Sequence, residues 1–220
     1  MAPRSPLPRD FEAKLQHILH HSANIFADRG FEGASIRDLS RATGISLSGL
    51  YYYFHSKQKL LYLIQLKAFT DILQALEKRL VDVQDPENRL RTFIHNHLQY
   101  FLSHPAEMKV LAHEEEALEE PYRKEIAAIK RRYYNVAREI FDELPRQRSA
   151  SALNPRVAVL SLYGMMNWIY KWHNPKLDPG AHQLSETIAA IFFRGVLNGH
   201  DAVKTSPHAE LPFEEVGAAE

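Results

Sequence analysis

The sequence predicts an all-α protein in two parts, a three-helix head near the N-terminus and a larger helical body behind it. Three observations carry that expectation. Apolar residues recur at helical spacing along nearly all of the 220 residues, with no strand-like alternation and no internal repeat. Pro, Gly and Ser punctuate the chain at helix-length intervals. Two short helical patterns joined at Gly44 follow a longer one, the layout of a helix-turn-helix.

Each element has a local cause. Phe11, Leu15, Ile18, Ser22, Ile25 and Phe26 share one helical face, and Gly30 stops that helix. Ser35 stands three residues before Asp38, a capping-box spacing that opens a helix over about 36–43, which Gly44 ends. Ser46 caps a segment over about 47–53, and Ser56 caps a long one reaching about Val81. Asp85 and Pro86 open a helix toward His104. Pro105 separates it from a short helix near 107–113, and Pro121 lies in the first turn of one reaching about Leu144. A polar loop is expected over 145–151. Helices over about 153–172 and 182–198 follow, parted by a Pro- and Gly-containing stretch. The expected division is 9–56 for the head and 57–200 for the body, with 1–8 and 201–220 as disordered tails.

Composition is that of an ordinary globular chain, 45% hydrophobic and 25% charged. The absence of cysteine excludes disulfides, thiolate metal sites and thiol nucleophiles. No apolar run is long enough to span a bilayer and the N-terminus lacks a signal core, so a cytoplasmic protein with no membrane partner is expected. The net charge is zero but unevenly spread. Residues 1–59 hold eight basic against five acidic side chains, a surplus of +3 that leaves −3 on the remainder. A basic head on an acidic body suits one nucleic-acid face.

In a helix-turn-helix the first short helix braces the second, which enters the major groove of DNA. Ile36, Leu39 and Thr43 supply the inward face of the brace, and Ile45, Leu50 and Phe54 complete a core with Leu15, Ile18 and Phe26. Leu47, Ser48, Gly49 and Tyr52 then face outward. Gly49 costs about 1 kcal/mol of helix propensity relative to Ala, which a close approach of backbone to DNA would justify. Lys57 and Lys59 stand in the first turn of a helix, where the macrodipole disfavours cations, so a phosphate is expected at that terminus. Three consecutive tyrosines, Tyr51, Tyr52 and Tyr53, are too many for a core, and at least one is expected to bond a phosphate. Arg37 is the best placed residue for a bidentate contact to guanine or to backbone. Leu47 is expected against a thymine methyl, with DNA shape supplying much of the rest.

These residues resemble the N-terminal domain of the TetR family of bacterial transcriptional repressors. The likeness runs from Phe31 to Leu61 and is most specific over Gly44-Ile-Ser-Leu-Ser-Gly-Leu-Tyr-Tyr-Tyr-Phe-His-Ser-Lys57. The resemblance implies a homodimer with two DNA-binding heads on a palindromic operator and a ligand-binding body. It places Ser35, Arg37, Tyr51 and Lys57 at positions that contact DNA, and Ser46, Leu47, Ser48, Gly49 and Tyr52 on the recognition helix. His21 and Ser22 depart from the small alanines usual in the first helix, and Gln58 from a common glutamate.

The last two helices are apolar around much of their circumference, so they are expected to bury one face in the body and the other against a second subunit. The phrase Asn167-Trp-Ile-Tyr-Lys-Trp-His-Asn-Pro175 and the stretch EEEALEEPYRKEIAAIKRRYY from Glu114 to Tyr134 are similar to a TetR subgroup. Its members respond to acyl-CoA thioesters and control fatty-acid, aromatic-acid or related degradation genes. That resemblance implies an apolar pocket among the central helices, with Phe101, Met108, Leu111, Tyr134, Met165 and Trp168 as lining. Arg131, Arg132 or Lys130 would pair with CoA phosphates.

His95 and His97 lie two apart and so on different helix faces, and His104 and His113 near Glu114–Glu116 lack metal-ligand spacing. The acidic run reads as solvated. No nucleophile elbow, phosphate loop, paired-carboxylate motif or cofactor signature is present. The expected function is a ligand-controlled repressor released by a small apolar effector such as an acyl-CoA. An activator or effector-independent regulator is the alternative, and an all-α enzyme a more distant one.

Overall fold

The computed structural model describes residues 9–114, 116–144 and 153–197, and among them every regular element is helical. The expected tails at 1–8 and 201–220, and the loop expected over 145–151, lie outside the described residues.

The head begins with α1 (Arg9–Gly33), whose helix breaks at Gly30, where φ is 73°. Glycine takes that left-handed backbone without a Cβ penalty. The chain then runs through α2 (Ile36–Thr43) and α3 (Leu47–Phe54). Ser35 and Asp38 form the reciprocal capping box, Gly44 closes α2 in the left-handed region, and Ser46 accepts from the Gly49 N–H. Leu39, Leu50 and Phe54 are fully buried against Ile18, Phe26 and Ala23.

The long α4 (Lys57–Leu80) leaves the head and crosses the body. There α5 (Pro86–Ser103), α6 (Pro105–His113), α7 (Tyr122–Glu143), α8 (Pro155–Asn167), α9 (Ile169–Trp172) and α10 (Ala181–Leu197) pack around it and one another. Pro121 stands immediately before α7 rather than within its first turn. The single helix expected over 153–172 is two, because the chain flattens at Trp168 (φ −76°, ψ −7°). No proline or glycine marks that break. It falls where Asn167 turns to bond His97 of α5.

Two apolar clusters organise the molecule. The body cluster is built from α4, α5, α7, α8 and α10, with Phe93, Ile140, Phe141, Leu162 and Met166 at its centre. The head cluster draws in Leu60, Leu61 and Ile64 of α4, and also Val110 of α6, Leu118, and Ile126 of α7. The head therefore rests on the body through a continuous apolar contact. Ser22 of α1 is fully buried, and its hydroxyl finds no hydrogen-bond partner among the described residues.

Candidate nucleic-acid interface and effector cavity

Capping fixes the exposed face of the helix-turn-helix. Because Ser46 turns its hydroxyl onto Gly49 and Leu50 is buried beneath, Leu47 and Ser48 face solvent, and Leu47 is 41% exposed. Tyr51 and Tyr52 lie on the same outer side, 45% and 69% exposed. Tyr53 does not: its ring lies 4.8 Å from Phe11 at the rim of the head core. Arg37 is exposed at the start of α2 and makes no ion pair among the described residues. Its neighbour Asp38 is engaged by the Ser35 hydroxyl, by Arg29 at 3.1 Å and by Arg41 at 2.6 Å. Those bonds, the Ser35 hydroxyl first, hold the Asp38 carboxyl below the usual carboxylate range. Arg29, Arg37 and Arg41 thus give α2 a basic edge beside the exposed face of α3.

Two features explained in sequence by DNA have an explanation inside the fold. A Cβ on Gly49 would stand 2.8 Å from Ile45 Cγ2 and 3.2 Å from Ser46 Oγ, so the turn itself demands glycine there. Lys57 Nζ donates to the carbonyl of Ala34 at 3.1 Å and sits 4.3 Å over the Phe31 ring. It occupies the carbonyl-rich end of α1, where the macrodipole favours a cation. Lys59 lies 4.1 Å over the ring of Tyr62 and 4.9 Å over that of Tyr122. Both lysines tie α4 to its neighbours, so their place at its N-terminus needs no phosphate.

The body holds a cavity of about 500 Å³ between α4, α5, α6, α7 and the α8–α9 break. Phe101, Met108, Leu111, Tyr134 and Trp168 line it, as does Lys130, whose ammonium lies 5.6 Å over the Phe69 ring. Two of the expected residues lie outside its lining. Arg131 is one helical step from Lys130, about 100° around α7, and faces the outer surface with Arg132, which pairs with Glu77. Met165 packs against the body core from the side and does not reach the cavity.

Sequence reading missed the polar wall of this cavity. His97 is buried, its ring stacked 4.0 Å from Phe101, with Nδ1 3.2 Å from the Tyr133 hydroxyl and Nε2 3.1 Å from Asn167 Oδ1. Burial pushes its pKa down to about 3, so the imidazole is neutral, and burial pushes the Tyr133 phenol up. The signal was a histidine amid apolar residues on an inward helix face, and an asparagine at the end of an apolar helix. Sequence alone pairs neither with the other, because 70 residues separate them.

Glu114 corrects a further expectation. It is not part of a solvated run: its carboxylate accepts the Phe31 N–H at 3.0 Å, just past the break at Gly30. That N–H lies just past the kink, where the helical geometry of α1 is interrupted. The backbone carbonyl of Glu114 accepts from Gln65 of α4 at 3.1 Å. Gln58 bonds the same segment twice, donating to the Ala117 carbonyl at 2.7 Å and accepting from the Glu119 N–H. The segment after α6, a helix that lines the cavity, is thereby fastened to the head.

Comparison with known proteins agrees with this architecture. The profile of bacterial regulatory proteins of the tetR family matches residues 18–62, and that of the tetracyclin repressor-like C-terminal domain matches residues 83–196. The chain is 32% identical over 98 residues to the transcriptional repressor NicS of Pseudomonas putida, covering 44% of this chain but only 46% of NicS. It is 24% identical over 184 residues to the repressor KstR2 of Mycobacterium tuberculosis, covering 81% of this chain and 90% of that one. Among solved structures, AibR in complex with isovaleryl coenzyme A and operator DNA superposes with a TM-score of 0.73 at 26% identity. That match covers 81% of this chain and 97% of AibR. PfmR of Thermus thermophilus superposes at 0.71 with 27% identity, covering 80% and 97%. With both profiles matched in order along one helical fold, the chain belongs to the TetR family of transcriptional regulators, a class of DNA-binding proteins and not of enzymes.

Proposed function

We propose that this protein is a ligand-controlled repressor whose dimer holds a two-fold operator and releases it when an acyl-CoA thioester enters the body cavity. One observation carries the reading: a helix-turn-helix with an exposed face is fastened, through Glu114 and Gln58, to the segment that follows a cavity-lining helix. The AibR complex, which contains both isovaleryl coenzyme A and operator DNA, supports the pairing of ligand and DNA. In this reading the head spans 9–56 and the body 57–200. Ser35, Arg37, Tyr51 and Lys57 meet the DNA backbone or bases, and Ser46, Leu47, Ser48, Gly49 and Tyr52 lie along the major groove. The effector stabilises a conformation whose heads no longer match the groove spacing, which is a difference in affinity between two states.

A second copy of the chain covers the outer face of α8 and α10. Val157 and Ile191 are each 58% exposed there, and a Cβ on Gly164 or Gly195 would meet open space. Two-fold pairing on this face sets two α3 helices about 34–36 Å apart, one turn of DNA. Ile191→Arg is expected to yield monomers in sedimentation and to weaken operator binding at least about tenfold. A dimer surviving that change would reject the face.

The direct test is fluorescence anisotropy with the DNA upstream of the protein's own gene. Binding should weaken steeply with salt, as phosphate contacts require. An acyl-CoA should release the DNA where free CoA does not. DNA binding indifferent to every acyl-CoA would leave an effector-independent regulator.

A further inference from the structure

The polar wall of the cavity has a direction, and the direction names what it can hold. Asn167 Oδ1 stands 3.1 Å from His97 Nε2, and an amide oxygen can only accept. The Tyr133 phenol has its own proton to place, and His97 Nδ1 at 3.2 Å is the acceptor beside it. His97 Nδ1 is then unprotonated, so the neutral ring carries its hydrogen on Nε2 and donates it to Asn167 Oδ1 at 3.1 Å. Reversing the chain would set an Nε2 lone pair against the Asn167 oxygen and strand the phenol proton in an apolar interior. With its oxygen consumed by His97, the Asn167 side chain has only its two N–H groups left. Asn167 lines the cavity at the α8–α9 break, is itself exposed, and makes no other amide hydrogen bond among the described residues.

Much of the rest of the wall is aromatic, beside Ile72, Met108 and Leu111. Phe69, Tyr134, Tyr163 and Trp168 present rings to it, Tyr134 and Tyr163 stacked on each other, and rings pack best against ring faces and edges. We propose that the cavity selects ring-bearing acyl thioesters, and that the Asn167 amide donates a hydrogen bond to their carbonyl oxygen. His97 and Tyr133 act as positioning residues that hold the amide with its donors outward. This inference rests on the acyl-thioester reading above and adds to it the ligand class and the residue that recognises it.

The test uses a matched pair on the full-length protein, phenylacetyl-CoA and its thioether S-phenethyl-CoA, which replaces the carbonyl by a methylene and changes nothing else. Calorimetry should give phenylacetyl-CoA about tenfold tighter binding than the thioether, the size of one buried hydrogen bond. Asn167→Asp keeps an oxygen for His97 but has no N–H to offer, so the preference should vanish. With a labelled thioester carbonyl, the bound stretch should move to lower frequency in the parent and not in N167D. Isovaleryl-CoA should bind more weakly than phenylacetyl-CoA. Equal affinity of the parent for thioester and thioether overturns the role of Asn167 while leaving the acyl-CoA reading intact, and tighter binding of isovaleryl-CoA overturns the ring preference. If no CoA compound binds a protein that still holds its DNA, both this inference and the effector reading fall.

Discussion

At His97 an imidazole is closed in by Phe93, Phe101, Tyr133 and Tyr163, with both nitrogens bonded. That enclosure has a measurable signature. The native ring stays neutral down to a pKa of about 3, whereas in the unfolded chain it protonates near 6.5. Between those values the unfolded state carries a proton that the native state refuses. Stability from this residue is therefore fully present above pH 6.5 and is lost steadily as pH falls below it. Relative to His97→Gln, the parent should lose about 1.4 kcal/mol of additional stability per pH unit from 6.5 to about pH 5, read from urea unfolding at each pH. Parallel pH profiles for the two proteins would mean that the ring is hydrated.

Among the elements, α3 is the one whose sequence invites the wrong conclusion. An exposed-helix glycine normally gains about 1 kcal/mol on replacement by Ala. Here the new Cβ would stand 2.8 Å from Ile45 Cγ2, on a β-branched side chain packed at the head core, and would crowd the Ser46 oxygen that caps the helix. Overpacking of this kind costs about 1–3 kcal/mol and a disturbed cap about 1 more. Gly49→Ala should thus lower stability by about 1 kcal/mol net. A rise in melting temperature would show that the turn has room to spare. The contrast between α3 and its neighbours explains what was legible in the sequence. The caps at Ser35, Ser46, Ser56 and Asp85 involve partners three residues away, so spacing alone reveals them. Lys57 on the Ala34 carbonyl, Glu114 on the Phe31 N–H and Asn167 on His97 join residues far apart in the chain, and no local pattern encodes them. The choice between Lys130 and Arg131 turned on the phase of one helix, which an apolar pattern fixes only roughly.

For the molecule as a whole, the question is how a ligand in the body reaches a head whose core is already continuous with it. Pure apolar contact is a poor messenger because it has no preferred direction. The head is also held by a polar fastening, and that fastening sits at a weak point. The Phe31 N–H lies just past the Gly30 break, and its partner is the carboxylate of Glu114 at the end of α6. The same α6 lends Met108 and Leu111 to the cavity wall and Val110 to the head core. A ligand that shifts α6 must therefore either carry Glu114 with it, dragging the C-terminal turn of α1 against α2, or leave the N–H unpaired. Glu114→Ala removes the link without touching the cavity. Its affinity for phenylacetyl-CoA should stay within about twofold of the parent, while the ratio of DNA affinities without and with ligand should fall by roughly fivefold, about 1 kcal/mol of coupling. Glu114→Gln, whose amide oxygen can still accept the N–H, should restore most of that ratio. Anisotropy titrations of operator DNA at fixed ligand, paired with calorimetry of the ligand alone, close the thermodynamic cycle. An unchanged ratio in E114A would place the communication in α4 and the shared apolar core instead.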